Sequence, residues 1–301
     1  MVHINSVSSR TTLLGSTDIR VSQIGIGTNR WAFGENDEPV FQVYKSLLDN
    51  GVNFFDTAEV YTGGKSERLL GACSKRDGRN SVIASKYRPS SDRCTERDFF
   101  EALDGSLKRL GEETLDLYYI HRPPSAQGIE ALMDYMAEAW TSEKISAVGV
   151  SNFDAEQMRR SVAQLERHGL KLAANQVEYS LLNRMTETNG VFDACKDLNA
   201  SLVAYRPLGR GQLASAVIAG NSSRAAVGNQ NESKLETVIL SIAEDHGGSV
   251  SQVAINWLLR RDDLVIPIPG ATKVDHALEN IGALDWNMSK SEFNELDDTS
   301  S

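Results

Sequence analysis

Cysteine is scarce in this chain, and the three present, Cys73, Cys94 and Cys195, are scattered and odd in number. No pair has the spacing of a metal site or a redox motif, so no disulfide framework and no metal centre is expected, and the setting reads as reducing and cytoplasmic. No stretch approaches the ~20 apolar residues of a membrane span, and the opening residues have no apolar run of signal-peptide length. Positive charge is short as well. With 31 Lys and Arg against 41 Asp and Glu, the formal net charge is −10, which argues against a nucleic-acid or anionic membrane partner. Also missing is a Gly-x-Gly-x-x-Gly after the first strand, so a Rossmann dinucleotide site is not expected. No linker-like or low-complexity segment divides the chain, and residues 1–301 read as one domain.

What is there is ordinary in amount and regular in order. Hydrophobic residues make up 41% and charged residues 24%, enough apolar material for a full core. Thr11–Leu14 and Ile19–Ser22 flank Gly15-Ser-Thr-Asp18 and predict a β-hairpin. Short apolar runs then alternate with helical spacing. Strands are predicted at Gln23–Gly27, Asn53–Thr57, Ser81–Tyr87, Leu115–His121, Ala147–Ser151, Ala173–Tyr179, Ser201–Tyr205 and Leu264–Pro267. Helices are predicted between them, among them Pro39–Asn50, Ser66–Cys73 with Ser66 as cap, Thr95–Leu110, a helix capped by Asp154, Glu187–Leu198, Ser249–Arg260 and Lys273–Gly282. Eight β/α units predict an α/β fold, a (β/α)8 TIM barrel with an N-terminal hairpin cap and an extra C-terminal helix starting at Ser289. The one irregular interval, Gly209–Asn231, is rich in Gly, Ser, Asn and Ala and is a candidate lid.

Four proton-exchanging groups fall at three successive strand ends: Asp56 with Tyr61, Lys86, and His121. Singly, each has an ordinary structural reading; together they form an acid/base relay. An ammonium beside a phenol favours its ionised form, a carboxylate can pair with that ammonium, and the imidazole can meet a carbonyl. Nothing here is a nucleophile with its base, so hydrolysis is not favoured. A relay moves protons only, and a hydride would have to come from a nicotinamide. Later strand ends offer places for one: Ser151-Asn152, the amides Asn175-Gln176, Tyr205-Arg-Pro207-Leu208-Gly209-Arg-Gly211, and the Gly270 turn running through Thr272 into a helix N-terminus. Gly27-Thr28-Asn29, at the first strand end, joins this set.

These motifs, in this order, resemble the aldo-keto reductase family over roughly residues 13–284. The resemblance rests on Gly51-Val-Asn-Phe-Phe-Asp-Thr-Ala-Glu-Val-Tyr61, Ser85-Lys86, Asp116-Leu-Tyr-Tyr-Ile-His-Arg-Pro123, Gly149-Val-Ser-Asn-Phe153, Asn175-Gln-Val-Glu-Tyr179, Ala204-Tyr-Arg-Pro-Leu-Gly-Arg-Gly211 and Leu278-Glu-Asn280. It is closer to the plant, fungal and bacterial branches. It implies NADPH-dependent reduction of an aldehyde or ketone, with Tyr61 as general acid/base, Lys86 and Asp56 lowering its pKa, and His121 orienting the carbonyl. It implies that Ser151, Asn152 and Gln176 hold the carboxamide and that Tyr205 stacks on the ring. Leu208, Gly209 and Gly211, with Pro207, would follow the pyrophosphate, and Gly270, Thr272, Lys273, His276, Glu279 and Asn280 the adenosine end; Arg206, where the commoner residue is Ser, is expected to contact phosphate or substrate. Gly270 and His276 replace the cations with which many members grip a 2′-phosphate, leaving Lys273; NADP(H) is expected ahead of NAD(H). Trp31, Phe33, Tyr87 and Arg122 are the expected substrate residues. The partner is thus a small carbonyl compound, and the chain a monomer or small homo-oligomer. Two other readings stand beside this one: a nucleotide-sensing regulatory subunit without turnover, and an aldolase with Lys86 as Schiff-base lysine.

Overall fold

The computed structural model describes residues 10–31, 37–124, 128–213 and 230–300. Two short antiparallel strands, β1 (Thr11–Leu13) and β2 (Arg20–Ser22), form the hairpin. Eight parallel strands follow, each bonded to the next in chain order: β3 (Ile26–Gly27), β4 (Phe54–Asp56), β5 (Val82–Tyr87), β6 (Leu117–Ile120), β7 (Val148–Ser151), β8 (Leu172–Glu178), β9 (Ser201–Tyr205) and β10 (Val265–Ile268). The two ends of this sheet meet. The Gly25 N–H donates to the Pro267 carbonyl at 3.0 Å and the Gly27 N–H to that of Pro269 at 3.1 Å, and Gly27 pairs with Gly270. The architecture is the expected (β/α)8 barrel.

Strand parity separates two packed layers. Phe54, Ala84, Leu117, Tyr119, Ala147, Val203 and Ile266 fill the barrel interior. Their chain neighbours Phe55, Ile83, Tyr118, Ile120 and Val148 pack outward against the helices. Close packing at the seam requires glycine. A Cβ on Gly25 would lie 2.6 Å from a ring carbon of Phe54 and 2.9 Å from a methyl of Ile268.

The helices between strands are α1 (Glu38–Asp49), α2 (Lys65–Asp77), α3 (Glu96–Leu110), α4 (Ile129–Thr141), α5 (Ala155–Glu166), α6 (Met185–Thr188), α7 (Val191–Asp197), α8 (Gln230–Asp245), α9 (Val250–Arg261) and α10 (Val274–Ile281); α11 (Lys290–Thr299) ends the fold. Capping boxes start α3 at Thr95, α5 at Asp154, α9 at Ser249 and α11 at Ser289. Two expectations are corrected. Ser66 does not cap α2, whose N-cap is Gly64; its hydroxyl is buried and tied to Thr28 and Thr57. The single helix expected over Glu187–Leu198 is two, because Gly190 adopts a left-handed conformation (φ +79°) between α6 and α7. The lid expected over Gly209–Asn231 falls largely at residues 214–229, outside the described residues.

The hairpin decides which end of the barrel stays open. The Gly15 N–H donates to Ser201 Oγ at 2.7 Å and the Ser22 N–H to Asn53 Oδ1 at 2.7 Å. Ser201 and Asn53 stand where β9 and β4 begin, and Leu14 and Val21 pack into the interior. The N-terminal ends are therefore covered and the C-terminal ends carry the free loops. Among the described residues no helix is long and apolar enough to cross a membrane, and no three metal-ligating side chains cluster.

Candidate active site

Ala84 faces the barrel interior, and so does Lys86 two residues on. Its side chain is 0% exposed. A buried ammonium needs acceptors, and this one has three. Nζ donates to Asp56 Oδ1 at 2.5 Å, to the Thr57 carbonyl at 2.7 Å and to Tyr61 Oη at 3.3 Å. An ammonium has three protons and accepts nothing, so the set is complete and the Tyr61 oxygen is an acceptor here. The proton of Tyr61 is left free to point elsewhere. Asp56 uses its second oxygen to accept from Gln176 Nε2 at 2.7 Å, which ties β4 to β8 across the barrel.

Tyr61 begins a 3-10 turn over Tyr61–Gly64, in which Thr62, Gly63 and Gly64 all have positive φ before α2 starts. That turn carries the phenol back over the barrel mouth. The Tyr61 and His121 rings meet edge to face with centroids 5.8 Å apart, and the Lys86 ammonium lies 4.9 Å from the Tyr61 ring centre. His121 Nδ1 is buried without a hydrogen-bond partner among the described residues.

Burial and charge set the protonation states. Burial pushes the Tyr61 phenol above its ordinary value, and Lys86 pulls the other way without prevailing. The expected lowering by Lys86 operates but is outweighed, and the resting phenol is protonated. Burial also weighs against the Lys86 charge, but Asp56 and Tyr61 more than offset it and raise its pKa. Burial, helped by the charges of Lys86, Arg88 and Arg122, lowers His121 to about 3. The imidazole is therefore neutral at physiological pH, a hydrogen-bonding group rather than an acid. The arrangement can give one proton, from Tyr61, to an oxygen held near His121, with a buried cation to stabilise the phenolate that results.

On β7 to β10 the structure places a second set of polar groups. Ser151 Oγ donates to the Gln176 carbonyl at 2.9 Å. Asn152 has a left-handed backbone (φ +61°), donates to the His121 carbonyl at 3.2 Å and accepts from Tyr205 Oη at 2.9 Å. Arg206 (φ +53°) pairs with Glu178 at 2.9 Å. Gly209, Arg210 and Gly211 all have positive φ, and the N-cap of α10, Lys273, makes no side-chain cap, leaving the helix's first N–H groups without a side-chain acceptor among the described residues. Amides, a hydroxyl, a half-buried aromatic ring, a turn of left-handed residues and an uncapped helix start fit a carboxamide, a planar ring and phosphates in that order.

Other expected site residues are placed differently. Thr28 turns its hydroxyl to the Asp56 carbonyl and Ser66, and Gly27 closes the barrel against Gly270. Tyr87 is buried in the outer layer against Phe99, its hydroxyl donating to the Arg93 carbonyl at 2.8 Å. Parity explains this: Lys86 points in, so Tyr87 points out. Trp31 is wholly buried, packed on Phe55 with its indole N–H on the Ala271 carbonyl, and supports the mouth from behind. Asn280 is buried, whereas Asn29, Thr272, Lys273 and His276 are exposed. Arg122 stands exposed just past β6, and Phe33 lies outside the described residues.

One pair went unread in the sequence. Glu59, two residues before Tyr61, accepts both terminal nitrogens of Arg93, at 2.9 and 2.8 Å, and the Arg88 N–H at 2.8 Å. It fastens the loop carrying Tyr61 to the loop after β5. Its only sequence signal was a second carboxylate three residues past Asp56, in the loop after β4.

Comparison with known proteins follows the same lines. The sequence profile of the Aldo/keto reductase family matches residues 23–301. A chloroplastic pyridoxal reductase of Arabidopsis thaliana is 32% identical over 307 residues, covering 93% of this chain and 83% of that protein. The aldo-keto reductase yakc of Schizosaccharomyces pombe, named for NADP(+), is 33% identical over 288 residues, covering 88% of this chain and 83% of that one. The crystal structure of a thermostable aldo-keto reductase in complex with the inhibitor epalrestat matches with a TM-score of 0.81 at 30% identity, over 96% of this chain and 99% of that one.

Proposed function

The chain belongs to the aldo-keto reductase family, an oxidoreductase acting on carbonyl and alcohol groups with a nicotinamide cofactor, and on that premise we propose that it reduces an aldehyde or ketone with Tyr61 as the proton donor and NADP(H) as the cofactor. The observation that carries the assignment of Tyr61 is the saturation of Lys86. With its three protons on Asp56, Thr57 and Tyr61, the phenol accepts from the ammonium and keeps its own proton for a substrate oxygen.

When bound, the reduced nicotinamide supplies the hydride to the carbonyl carbon. Tyr61 gives its proton to the carbonyl oxygen as the C=O bond becomes C–O–H. The phenolate left behind gains from the Lys86 charge, which Asp56 holds in place, and is reprotonated from solvent. Neutral His121 donates a hydrogen bond that orients the carbonyl. Ser151, Asn152 and Gln176 are suited to the carboxamide and Tyr205 to the ring face. The Leu208–Gly211 turn and the start of α10 would take the phosphates, with Lys273 as the cation for a 2′-phosphate. The name of the fission-yeast relative supports NADP rather than NAD.

Titration of cofactor fluorescence tests this reading. NADPH is expected to bind more tightly than NADH, and adding a panel of aldehydes is expected to oxidise it. Tight binding with no oxidation by any carbonyl would assign a nucleotide-sensing role instead.

The protonation states add a pH signature. Reduction needs the phenol form of Tyr61, whose pKa lies above the ordinary 10.0, and a neutral His121, whose pKa lies near 3. The kcat/KM for reduction is therefore expected to be flat across roughly pH 5–8, to fall in alkali, and to fall in acid only toward about pH 3. An inflection near 6.5, the ordinary histidine value, would overturn the neutral-imidazole assignment.

A further inference from the structure

The catalytic groups account for carbonyl reduction in general and leave open which carbonyl. Two arginines at the rim bear on that. The His121 N–H donates to the Tyr87 carbonyl at 2.8 Å, in register across the ends of β5 and β6. The next residue along each chain is an arginine, Arg88 on one side and Arg122 on the other. Both are exposed, and among the described residues neither guanidinium has an ion pair or a hydrogen bond to a side chain.

The carboxylates nearby are already taken. Asp56 is held by Lys86 and Gln176. Glu59 is occupied by the two-pronged contact from Arg93 and is mostly buried. Glu178 is paired with Arg206. Of the ion pairs described at this mouth, Lys86 pairs with Asp56, Arg93 with Glu59 and Arg206 with Glu178, while Asp92, on the loop after β5, accepts from Ser90 and faces Arg93; Arg88 and Arg122 are left over. A chain of formal net charge −10 thus keeps a cationic rim at one place. The two arginines also act on the site: both their charges help to depress His121. They stand just past the ends of β5 and β6; Arg122 lies near enough to Tyr205 for its charge to act there, and neither guanidinium is among the β7–β10 groups suited to the cofactor, so their charge is available to a substrate.

On the reading of the chain as a carbonyl reductase, we propose that Arg88 and Arg122 bind the anionic group, carboxylate or phosphate, of a substrate whose carbonyl reaches Tyr61 and His121. Guanidinium forks match the planar oxygens of such groups and bind them by charge-assisted hydrogen bonds. Attraction at an exposed rim is also felt as steering and weakens with salt over a Debye length of about 8 Å.

The test compares shape-matched substrates with NADPH. For 4-carboxybenzaldehyde against its neutral methyl ester, kcat/KM is expected to favour the acid by about tenfold or more at low ionic strength, chiefly through KM. The ratio should shrink as salt rises. Arg88→Gln and Arg122→Gln should each lower it several-fold, and the double change should abolish it. Glyceraldehyde 3-phosphate against glyceraldehyde separates a phosphate preference from a carboxylate preference. Equal use of acid and ester by the unaltered protein, or an acid preference that survives both arginine changes, overturns the proposal and leaves the reductase reading standing. Turnover of neither acid nor ester, nor of any aldehyde in the panel, would overturn that reading and this inference with it.

Discussion

Tyr61→Phe is expected to lower kcat for reduction by about a hundred- to ten-thousand-fold, the range that a positioned general acid supplies, while cofactor binding stays within a factor of two or so. The substitution removes one oxygen and little else. The ring keeps its edge-to-face contact with His121 and its place over the Lys86 ammonium. Among the described residues the oxygen makes one hydrogen bond, a 3.3 Å acceptance from Lys86, the longest of that ammonium's three. Loss of that contact leaves Asp56 and Thr57 on Lys86, so the buried cation remains paired. The β7–β10 groups assigned to the cofactor do not touch the Tyr61 oxygen. Stopped-flow single turnover with bound NADPH, beside fluorescence titration, separates the two effects. A variant that retains a tenth or more of wild-type turnover would remove Tyr61 from the role of proton donor.

The parts of this site visible in the sequence, and the parts hidden from it, divide along strand parity. Asp56, Lys86 and His121 were legible because each ends an apolar run, and a polar group at that place has few structural uses. The barrel was legible because the rhythm of apolar runs and helical spacing repeats eight times. Which neighbour faces inward was harder to see. Lys86 and Tyr87 look equally placed in the chain, yet one lies on the barrel axis and the other against Phe99 in the outer layer. The interior set Ala84, Leu117 and Tyr119 assigns the parity, and it becomes certain only once β5 and β6 are in register. Ser66 reads as a helix cap and Thr28 as part of the cofactor set, but they bond to each other across 38 residues. The Glu59–Arg93 pair is separated by 34 residues and was invisible for the same reason. Long-range pairing between loops leaves no local periodicity to read.

The buried ion pair gives the second large effect, and it separates stability from chemistry. Lys86→Met leaves the Asp56 carboxylate, 1% exposed, with Gln176 as its remaining side-chain donor. Asp56→Asn leaves a wholly buried ammonium with neutral oxygen acceptors only, its anionic partner gone. Breaking one partner of such a pair costs about 3–5 kcal/mol, because an uncompensated charge stays in the core. Replacing both partners by uncharged groups of similar size removes that cost. The double variant Asp56→Asn with Lys86→Met is therefore expected to unfold in urea at a higher midpoint than Lys86→Met alone, by about 2 kcal/mol or more of stability. Turnover should not follow. Without the ammonium nothing stabilises the Tyr61 phenolate, so reduction is expected to be lost by about a thousandfold in every variant lacking Lys86. Strict additivity of the two stability losses would mean that the pair is not coupled. Recovery of turnover together with stability in the double variant would mean that Lys86 serves the fold and not the proton transfer. Loss of turnover despite recovered stability assigns the ammonium to the chemistry, because the fold is then restored while the charge beside the phenol is still missing.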